Sequence, residues 1–422
     1  MNKTSIKIYN VGPIKKVEID NLKRVNVFIG ASASGKSTIA KIISQALWCE
    51  KAFITTGRQM DFKDQLIAYH RFSDAYFTDS SRIEYQSPWL TITCQRKRGK
   101  QLRFETKYIP TRGTESLYNN IKIQYIPAER NFVTSIPNLQ EYNKAYDNVF
   151  SFLQDWLACK GQYNNLKSCY KVQDVEGMKL LFRTLREGTI DYVRVGKSSI
   201  DIELLNSSSG IQSILPLLLV SDEMLEQIYK KDRPFSYHEL KNLENVAPKE
   251  LMPIIRVLNE TSRSSNNDAD FADALDGLWN AVGYNGAYSK THLTVEEPEQ
   301  NIYPATQRTL IYHLLNRLQN NSSLIITTHS PYVLYAFDNA LVAGQVARVS
   351  AEIKNQIPQN VPSDFTDDEV ALWQVADGEI TSLVDPDTHS LGENEFNSQL
   401  GYSVDEMSEM YSLLDVVDND KE

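Results

Sequence analysis

An α/β fold built around a mixed β-sheet is predicted by three features of this 422-residue chain. A short apolar run, Val25–Ile29, ends at a glycine, and a helical pattern follows the small-residue turn after it. Two further strand-then-helix units occur late in the chain, in 291–318 and in 322–337. Residues 49–120 are rich in aromatic residues and turn signals, which favours an antiparallel lobe. Strands that alternate with helices are typical of a sheet with parallel strands.

Composition and charge exclude several classes of protein. The chain is 41% hydrophobic and 23% charged, as ordinary globular proteins are. No apolar run approaches the length that spans a bilayer, and Met1–Lys7 lacks the apolar segment of a signal peptide, so we expect a cytoplasmic protein with no membrane partner. The net charge of −10 disfavours non-specific binding to nucleic acid. The four cysteines show no metal-site spacing, which favours reduced structural thiols.

The chain is predicted to begin with a β-hairpin. Ser5–Asp20 alternates around a Gly-Pro turn and leads into the strand Val25–Ile29. The basic stretch Arg96–Lys100 is predicted at the tip of a second hairpin, where a solvated tip is favoured over a nucleic acid contact. A further strand, Ile121–Ile126, ends at a proline.

The middle of the chain is predicted to be largely helical. Two short strands, Thr189–Val195 and Ser199–Leu204, precede an apolar helix at Ile211–Tyr229, and the polar run Thr261–Asp268 favours an exposed loop within a helical insertion. Before these strands, apolar residues recur at helical spacing through 136–187, namely Leu153, Trp156 and Leu157, and then Met178, Leu181 and Leu185.

The turn after the first parallel strand is the most informative motif. Its spacing is G-x-x-x-x-G-K-S between a strand and a helix, which is the context of a phosphate-binding loop (P-loop). Small residues let backbone N–H groups point at phosphates, and the following helix adds its dipole. We predict that Lys36 reaches the β- and γ-phosphates and that the Ser37 hydroxyl ligates Mg²⁺. The residues predicted to cradle the phosphates are Gly30, Ala31, Ser32, Ala33, Ser34, Gly35, Lys36, Ser37 and Thr38.

Two adjacent carboxylates end the apolar strand Thr291–Val295. Because neighbours in a strand point to opposite faces, the two can divide the work. Glu296 is predicted to ligate or orient Mg²⁺, and Glu297 to accept a proton from an attacking water. His329 ends the next buried strand, where ligands bind in open parallel sheets. We predict that it senses the γ-phosphate, with a purely structural histidine as the alternative.

Three serines and a glycine in Asn206–Gln212 immediately precede a long helix. Hydroxyls and free N–H groups at a helix start can hold an anion. Plain helix capping is the alternative, but it would need only one serine. Ser208, Ser209 and Gly210 are therefore predicted to contact a nucleotide phosphate.

With these motifs in this order, the chain resembles ABC-type ATPases of the SMC, RecF and OLD group. It is most similar to the AAA-like ATPases found beside effector genes in bacterial anti-phage and toxin-type operons. The resemblance covers 1–345 and implies an ABC-type P-loop head with a mixed sheet, an antiparallel β subdomain and helical insertions, with ATP and Mg²⁺ as ligands. It rests on GASASGKST (30–38), YIPAERN (125–131), NSSSGIQ (206–212), VEEPEQNIYP (295–304) and TTHSP (327–331).

The resemblance also implies roles for single residues. Glu296 takes the Walker B metal position, Glu297 is the catalytic base and His329 the switch histidine. Ser208 and Gly210 would face the γ-phosphate of an ATP bound to another protomer. Two copies, as a homodimer or a higher homo-oligomer, would therefore be needed to complete each site around ATP.

Other positions depart from the pattern of this group or match it only loosely. Glu296 stands where Asp is commoner, and Ser209 replaces the first glycine of the signature. No Q-loop glutamine is identified, and we expect Glu129 or Arg130 near the nucleotide. Glu299 lies where the dimer-contacting D-loop begins.

These motifs divide the chain into seven predicted segments. They are 1–48, the N-terminal hairpin and P-loop part of the head; 49–131, an antiparallel β lobe; 132–188, a helical insertion; 189–230, the signature region; 231–290, a helical and loop insertion; 291–345, the part with the paired carboxylates and the switch histidine; and 346–422, a C-terminal extension whose acidic tail, from Asp405, is predicted to be a frayed, solubilising end.

Two functions remain open at this point. The first is an ATPase that hydrolyses ATP and acts as sensor or scaffold for a separate effector, a nuclease or a toxin, in anti-phage defence. The second is a RecF-like or SMC-like repair or recombination ATPase that clamps DNA. Long coiled-coil arms and a Toprim nuclease domain are not predicted, because no sustained heptads occur and 346–422 holds no suitable acidic constellation. A transporter subunit is disfavoured by the large insertions.

Overall fold

The computed structural model describes residues 3–97, 103–111, 121–136, 147–163, 169–185, 190–226, 228, 288, 290–319 and 321–419. The strands are Ser5–Val11 (β1), Ile14–Ile19 (β2), Val25–Ile29 (β3), Phe77–Gln86 (β4), Leu90–Arg96 (β5), Phe104–Pro110 (β6), Ile121–Ile126 (β7), Tyr170–Val172 (β8), Leu180–Leu185 (β9), Ile190–Val195 (β10), Ile202–Glu203 (β11), Lys290–Glu296 (β12), Ser323–Thr328 (β13), Val370–Ala376 (β14) and Glu379–Ser382 (β15). The helices are Lys36–Thr56 (α1), Phe62–Ala68 (α2), Phe132–Ser135 (α3), Asn148–Lys160 (α4), Ser209–Leu225 (α5), Pro304–Arg317 (α6), Pro331–Ala347 (α7), Ala351–Lys354 (α8) and Glu395–Asn419 (α9).

Eleven strands form one mixed sheet in the order β6-β5-β4-β1-β2-β15-β14-β3-β13-β12-β7. Strands β14, β3, β13, β12 and β7 are parallel neighbours, whereas β6, β5, β4, β1 and β2 form an antiparallel wing. A separate antiparallel sheet has the order β11-β10-β9-β8. The α/β fold class predicted from the sequence is confirmed, including the mixed sheet and the antiparallel part.

Apolar side chains of the central strands alternate between two cores. On β3, Phe28 packs with α1, whereas Val27 packs in the core that contains α5, α6 and α7. On β13, Ile325 and Ile326 divide in the same way. Helix α1 therefore covers one face of the parallel strands and α5 covers the other, because neighbouring residues of a strand point to opposite faces.

The helical prediction for 136–187 is correct in its first half and wrong in its second. Helix α4 buries Leu153 and Trp156, but Leu181 and Leu185 belong to strand β9. In β9, Leu180, Phe182 and Thr184 are buried with a period of two. Short apolar runs fit both periods, and pairing with β8 and β10 decides in favour of the strand.

The segment 346–422, predicted as a C-terminal extension, supplies two strands to the central sheet. Strand β14, Val370–Ala376, lies in the central sheet directly beside β3, and β15 joins it to the N-terminal hairpin. The tail from Asp405 is not frayed but continues helix α9. Strand β7 lies beside β12 in the central sheet, although we predicted it as part of the antiparallel lobe. The predicted loop Thr261–Asp268, nearly all of 231–290 and Arg98–Lys100 lie outside the described residues.

Candidate functional site

The turn after β3 is shaped by two glycines with positive φ. Gly30 has φ +154°, and a Cβ there would lie 2.2 Å from the Val375 carbonyl oxygen on β14. Gly35 has φ +110°, and its Cβ would lie 2.3 Å from Cδ1 of Ile14. A Cβ at Gly30 would therefore collide with the backbone of β14, and the positive φ of Gly35 is one that side-chain-bearing residues rarely adopt. Glycine is thus required at the two ends of the loop.

Helix α1 begins without a side chain that satisfies its first N–H groups. Gly35, the residue just before the helix, has no side chain that could cap it, and the first turn contains no acidic residue. Ser37 is partly exposed in this turn, and Ala31, Ser32 and Ala33 are exposed above it. Such a helix start favours an anion through its free donors and its dipole. The loop and the helix start therefore fit the phosphates of a nucleotide.

Lys36 is turned inward at the base of this loop. Its side chain is buried, and Nζ donates hydrogen bonds to the carbonyl oxygens of Gly30 at 2.9 Å and Ala31 at 2.8 Å. A third contact, 3.4 Å long, joins Nζ to Nδ1 of His329. Burial lowers the pKa of Lys36 to about 8, while nearby carboxylates act in the opposite direction. The ammonium group is thus held by carbonyl dipoles that an anionic ligand can replace.

Glu296, the last residue of β12, carries a buried carboxylate. Its Oε2 accepts a 3.3 Å hydrogen bond from the backbone N–H of Ala128, and Oε1 lies 3.8 Å from Nζ of Lys41. Within the described part of the chain, Oε1 has no hydrogen-bond partner. Buried polar atoms are seldom left without partners. A single carboxylate with an oxygen that makes no hydrogen bond suits Mg²⁺, which takes one or two protein carboxylates together with phosphate and water oxygens.

Glu297 leaves the strand in a different conformation. Its φ is +43°, and its N–H donates a 2.8 Å hydrogen bond to the Thr327 carbonyl oxygen on β13. The side chain is 30% exposed; Oε1 lies 3.3 Å from Nε2 of His329, and Oε2 accepts a 2.9 Å hydrogen bond from Gln300. Left-handed backbone in a non-glycine residue is costly and needs support from its surroundings. Here it directs the carboxylate toward His329 and water.

His329 joins Lys36 to Glu297. Because an ammonium group has no acceptor, Nδ1 of His329 must accept from Lys36, which places the ring proton on Nε2. Nε2–H then donates toward Glu297. The backbone N–H of His329 also donates, at 2.6 Å, to Oε1 of Glu299. Three of the predicted site residues are therefore in contact through one imidazole ring.

Glu299 has its carboxylate directed into the protein. Its Oε1 also accepts a 2.8 Å hydrogen bond from Oγ1 of Thr328, while Oε2 has no partner among the described residues. Burial raises the pKa of Glu299. The side chain fixes the backbone before His329, so any contact with a second protomer would come from the surrounding loop. This positioning role is not visible in the sequence, because it depends on how the loop folds back onto β13.

Arg130, which we expect near the nucleotide, is fully buried behind the carboxylate pair. Its guanidinium donates at 2.7 Å to the carbonyl oxygens of both Glu296 and Glu297, and Nε donates at 3.2 Å to the Ser213 carbonyl oxygen of α5. Burial lowers the pKa of Arg130 to about 10. Arg130 therefore connects the backbone of the carboxylate pair to the serine-bearing helix. Glu129, the other candidate, is exposed.

The start of α5 has a different environment. Ser208 and Ser209 are exposed, and Ser208 makes no capping hydrogen bond. Gly210 is buried, and a Cβ there would lie 2.8 Å from the Asn301 carbonyl oxygen. Nε2 of Gln212 ties down the preceding loop by donating to the carbonyl oxygens of 204, 205 and 207. The hydroxyls are thus presented outward on a braced loop, rather than used for plain capping.

The structure therefore gathers one group of predicted residues and leaves another apart. Lys36, Glu296, Glu297 and His329 meet at the carboxyl ends of β3, β12 and β13, where ligands bind in open α/β sheets. Among the described hydrogen bonds, none joins 207–210 to 30–38. The sequence indicated both groups, and it also marked Glu299 as the start of a loop, but it gave no signal for Lys41.

A protein-family profile described as "AAA domain, putative AbiEii toxin, Type IV TA system" matches residues 287–334, which hold the carboxylate pair and His329. No protein among the curated ones matches the sequence. None of the described helices combines the length and hydropathy that a membrane-spanning segment needs.

Several solved structures are similar to the chain over most of its length. The SMC head domain from Thermotoga maritima is 11% identical, with 90% of this chain and 97% of that chain covered and a TM-score of 0.38. RecF bound to an ATP analogue, from the RecFOR pathway, is 13% identical, with 90% and 99% covered and a TM-score of 0.32. An ATP-binding cassette of an ABC transporter in its ADP conformation is 10% identical, with 90% and 89% covered and a TM-score of 0.29.

Proposed function

We propose that this chain is a P-loop ATPase of the SMC, RecF and ABC type, which binds ATP with Mg²⁺ and hydrolyses it. The observation that carries the proposal is the contact chain from Lys36 through His329 to Glu297, at 3.4 and 3.3 Å, beside the free oxygen of Glu296. One cation, one metal-suited carboxylate and one partly exposed carboxylate then meet at the end of a phosphate-binding loop. This is the set of groups that phosphoryl transfer to water requires.

Each side chain has a distinct task in this proposal. ATP would supply the phosphoryl group, and Mg²⁺ would supply positive charge that offsets the negative charge of the phosphates. Lys36 would donate to phosphate oxygens in place of the two loop carbonyls, and Ser37 and Glu296 would hold the metal. Glu297 would accept the proton of the attacking water. His329 orients this carboxylate from Nε2, and its contact with Lys36 makes it responsive to a ligand in the loop.

Two copies of the chain would complete each site. The exposed hydroxyls of Ser208 and Ser209 face solvent on the opposite side of the sheet from α1, so they are available to a second subunit. In a two-fold dimer every contact is reciprocal, so if one α5 start met the partner's P-loop, the other would do the same. ATP would then hold the dimer together, and hydrolysis would release it.

Replacing Glu297 with Gln tests hydrolysis and dimerisation together. We expect the hydrolysis rate to fall by about 10² to 10⁴, because the general base is lost, while a fluorescent ATP analogue still binds. Size-exclusion chromatography with ATP should then show a stable dimer. The matched control is Glu352→Gln on the exposed helix α8, which should behave as wild type. Elution as a monomer at saturating ATP would contradict the dimer proposal.

We further propose that this cytoplasmic ATPase controls a separate effector, a nuclease or a toxin, in anti-phage defence. The profile match that names a toxin system supports this role. Co-purification of the tagged chain from cells that carry its native operon tests it, and a stoichiometric nuclease or toxin is the expected result. Tight DNA binding that weakens steeply with salt, with no such protein recovered, would instead favour the DNA-clamping ATPase.

A further inference from the structure

The C-terminal helix α9, Glu395–Asn419, projects from the head with almost no packing of its own. Asn394 caps its start, with Oδ1 accepting from the N–H groups of Phe396 and Asn397. Phe396, in its first turn, packs against the core. Every residue from 397 to 413 is exposed. The helix therefore has an anchored first turn, and the exposed stretch 397–413 is called the shaft below.

The exposed shaft carries large apolar side chains. Leu400, Val404, Met407 and Tyr411 follow one another at intervals of four, three and four residues, which places them in one row along the helix. An isolated soluble surface rarely holds such a continuous apolar row unless another molecule covers it. The apolar side chains that are at least half exposed are Leu400, Tyr402, Val404, Met407, Met410, Tyr411 and Leu413.

This shaft is poorly stabilised as a free helix in water. Isolated helices depend on packing of an apolar face, because propensity alone gives marginal stability. Gly401, Ser403 and Val404 are weak helix formers, and α9 contains no Lys or Arg that could pair with a carboxylate one turn away. A partner that covers the row would supply the missing stabilisation.

The charge of α9 indicates which partner fits. Every ionisable side chain on the helix that is charged at neutral pH is acidic. Two α9 helices packed side by side would bring like charges together, and anionic lipid would be repelled as well. A surface with Lys and Arg around an apolar groove has the complementary charge and shape. The carboxylates on the described part of the helix are Glu395, Asp405, Glu406 and Glu409.

We propose that α9 is the docking element for a second protein, which receives the row Leu400, Val404, Met407 and Tyr411 in an apolar groove bordered by Lys and Arg. This inference rests on the proposed function, because the docked protein is the effector that the ATPase controls. It assigns the contact to one helix and gives the effector's surface its charge and shape.

The base of α9 lies where nucleotide-dependent changes can reach it. Helix α7 follows His329 directly, and Ser330 caps its start. Asp338 of α7 contacts the segment just before α9, because its Oδ1 accepts a 2.8 Å hydrogen bond from the N–H of Leu391. Tyr335 of α7 also donates a hydrogen bond to Asn397, in the first turn of α9. A shift of His329 and α7 would therefore move the base of the docking helix.

Site-specific photocrosslinking tests the proposal in the full chain. A photoreactive phenylalanine analogue replaces Met407 in cells that express the chain with its genomic neighbours, and the crosslinked peptide is sequenced. The control position is Val349, which is more exposed than Met407 but lies on the head between α7 and α8. We expect a crosslink from position 407, and none from 349, to a different protein, through a segment in which Lys or Arg flank apolar residues.

Two variants separate apolar contact from charge. Leu400→Asp with Tyr411→Asp should reduce the crosslink at least tenfold. Reversal of charge at Asp405, Glu406 and Glu409 to Lys, with the apolar row intact, should reduce it similarly, and so should high salt. Crosslinks to a second copy of this chain, to lipid or to its own head would overturn the proposal, as would no crosslink at position 407 or a crosslink that the charge reversal leaves unchanged.

Binding of the fluorescent ATP analogue to the same preparations keeps the two proposals distinguishable. The α9 variants should bind and hydrolyse ATP as wild type does, because the altered side chains touch neither the P-loop nor the carboxylate pair. Normal ATP binding without docking would end the α9 proposal alone. Loss of ATP binding by the unaltered chain would end the proposed function.

Discussion

The two halves of the candidate nucleotide site differ in how far each is held by its own chain. In the P-loop half, Lys36, His329 and Glu297 are joined by direct contacts, and buried carbonyl oxygens hold the lysine. In the serine half, Ser208 and Ser209 face solvent and Ser208 makes no capping bond. One half is thus pre-organised within the subunit, and the other is braced but directed outward.

The difference has a physical cause. Groups that activate water must be fixed before the reaction, since reorganisation during the reaction costs rate. In the proposed dimer, donors that recognise a phosphate across the interface would instead remain accessible until the partner arrives. Arg130 links the two halves, because its guanidinium donates hydrogen bonds to the carbonyl oxygens of Glu296 and Glu297 and to the Ser213 carbonyl oxygen of α5. The orientation of the exposed half is therefore coupled to the buried half.

Complementation between two inactive variants is the most severe test of this comparison. Lys36→Ala disables the P-loop half and Ser208→Glu repels phosphate from the serine half, so each variant alone should lose at least about 100-fold in hydrolysis. In an equimolar mixture, half of the dimers are mixed, and each has one intact composite site. Activity should therefore recover to about a quarter of wild type.

The control for complementation is a mixture of Lys36→Ala with Lys36→Ala Ser208→Glu, in which no intact site can form. Steady-state phosphate release measures both mixtures. If the test mixture stays as inactive as the control, the two halves do not complete a site between subunits, and the dimer proposal is contradicted.

Removal of the link between the halves should have the next largest effect. Arg130→Met leaves buried carbonyl oxygens without donors, and we expect a loss of about 2 to 4 kcal/mol in the free energy of unfolding. Chemical denaturation measures it, with Arg348→Met on the exposed end of α7 as the control. An unfolding free energy within about 0.5 kcal/mol of wild type would show that Arg130 does not hold the halves together.

A smaller change at Lys41 sharpens the description of the buried half. Nζ of Lys41 lies 3.8 Å from the free oxygen of Glu296, so it competes with a cation for that carboxylate. We expect Lys41→Met to bind the metal about threefold to fivefold more tightly, the range given by a partly exposed ion pair. Titration of Mn²⁺ into the ATP-loaded protein, followed by electron paramagnetic resonance, measures this. Lys41→Arg, which keeps the charge, should resemble wild type, and weaker binding by Lys41→Met would contradict the competition.

Much of the fold could be predicted because its signals are local. The strand Ile121–Ile126 is observed with the predicted bounds, and the strands that end at Ile29, Glu296 and Thr328 are observed within one or two residues of the prediction. Each is a short apolar run bounded by glycine, proline or charge, which a window of a few residues reveals. Strand β14 has the same kind of apolar run, but its place beside β3 depends on a pairing between residues far apart in sequence.

The chemistry of the site divides in the same way. Residue identity and spacing along the chain determined the phosphate-binding turn, the carboxylate pair and the histidine after a buried strand, because those features arise from neighbours in sequence. Tertiary structure alone decided that His329 bridges Lys36 and Glu297, that Arg130 is buried behind the pair and that α9 is exposed from Asn397 to Leu413. Burial and contact between distant segments create these properties, since the free energy of a polar group depends on what surrounds it and not on its neighbours in the chain.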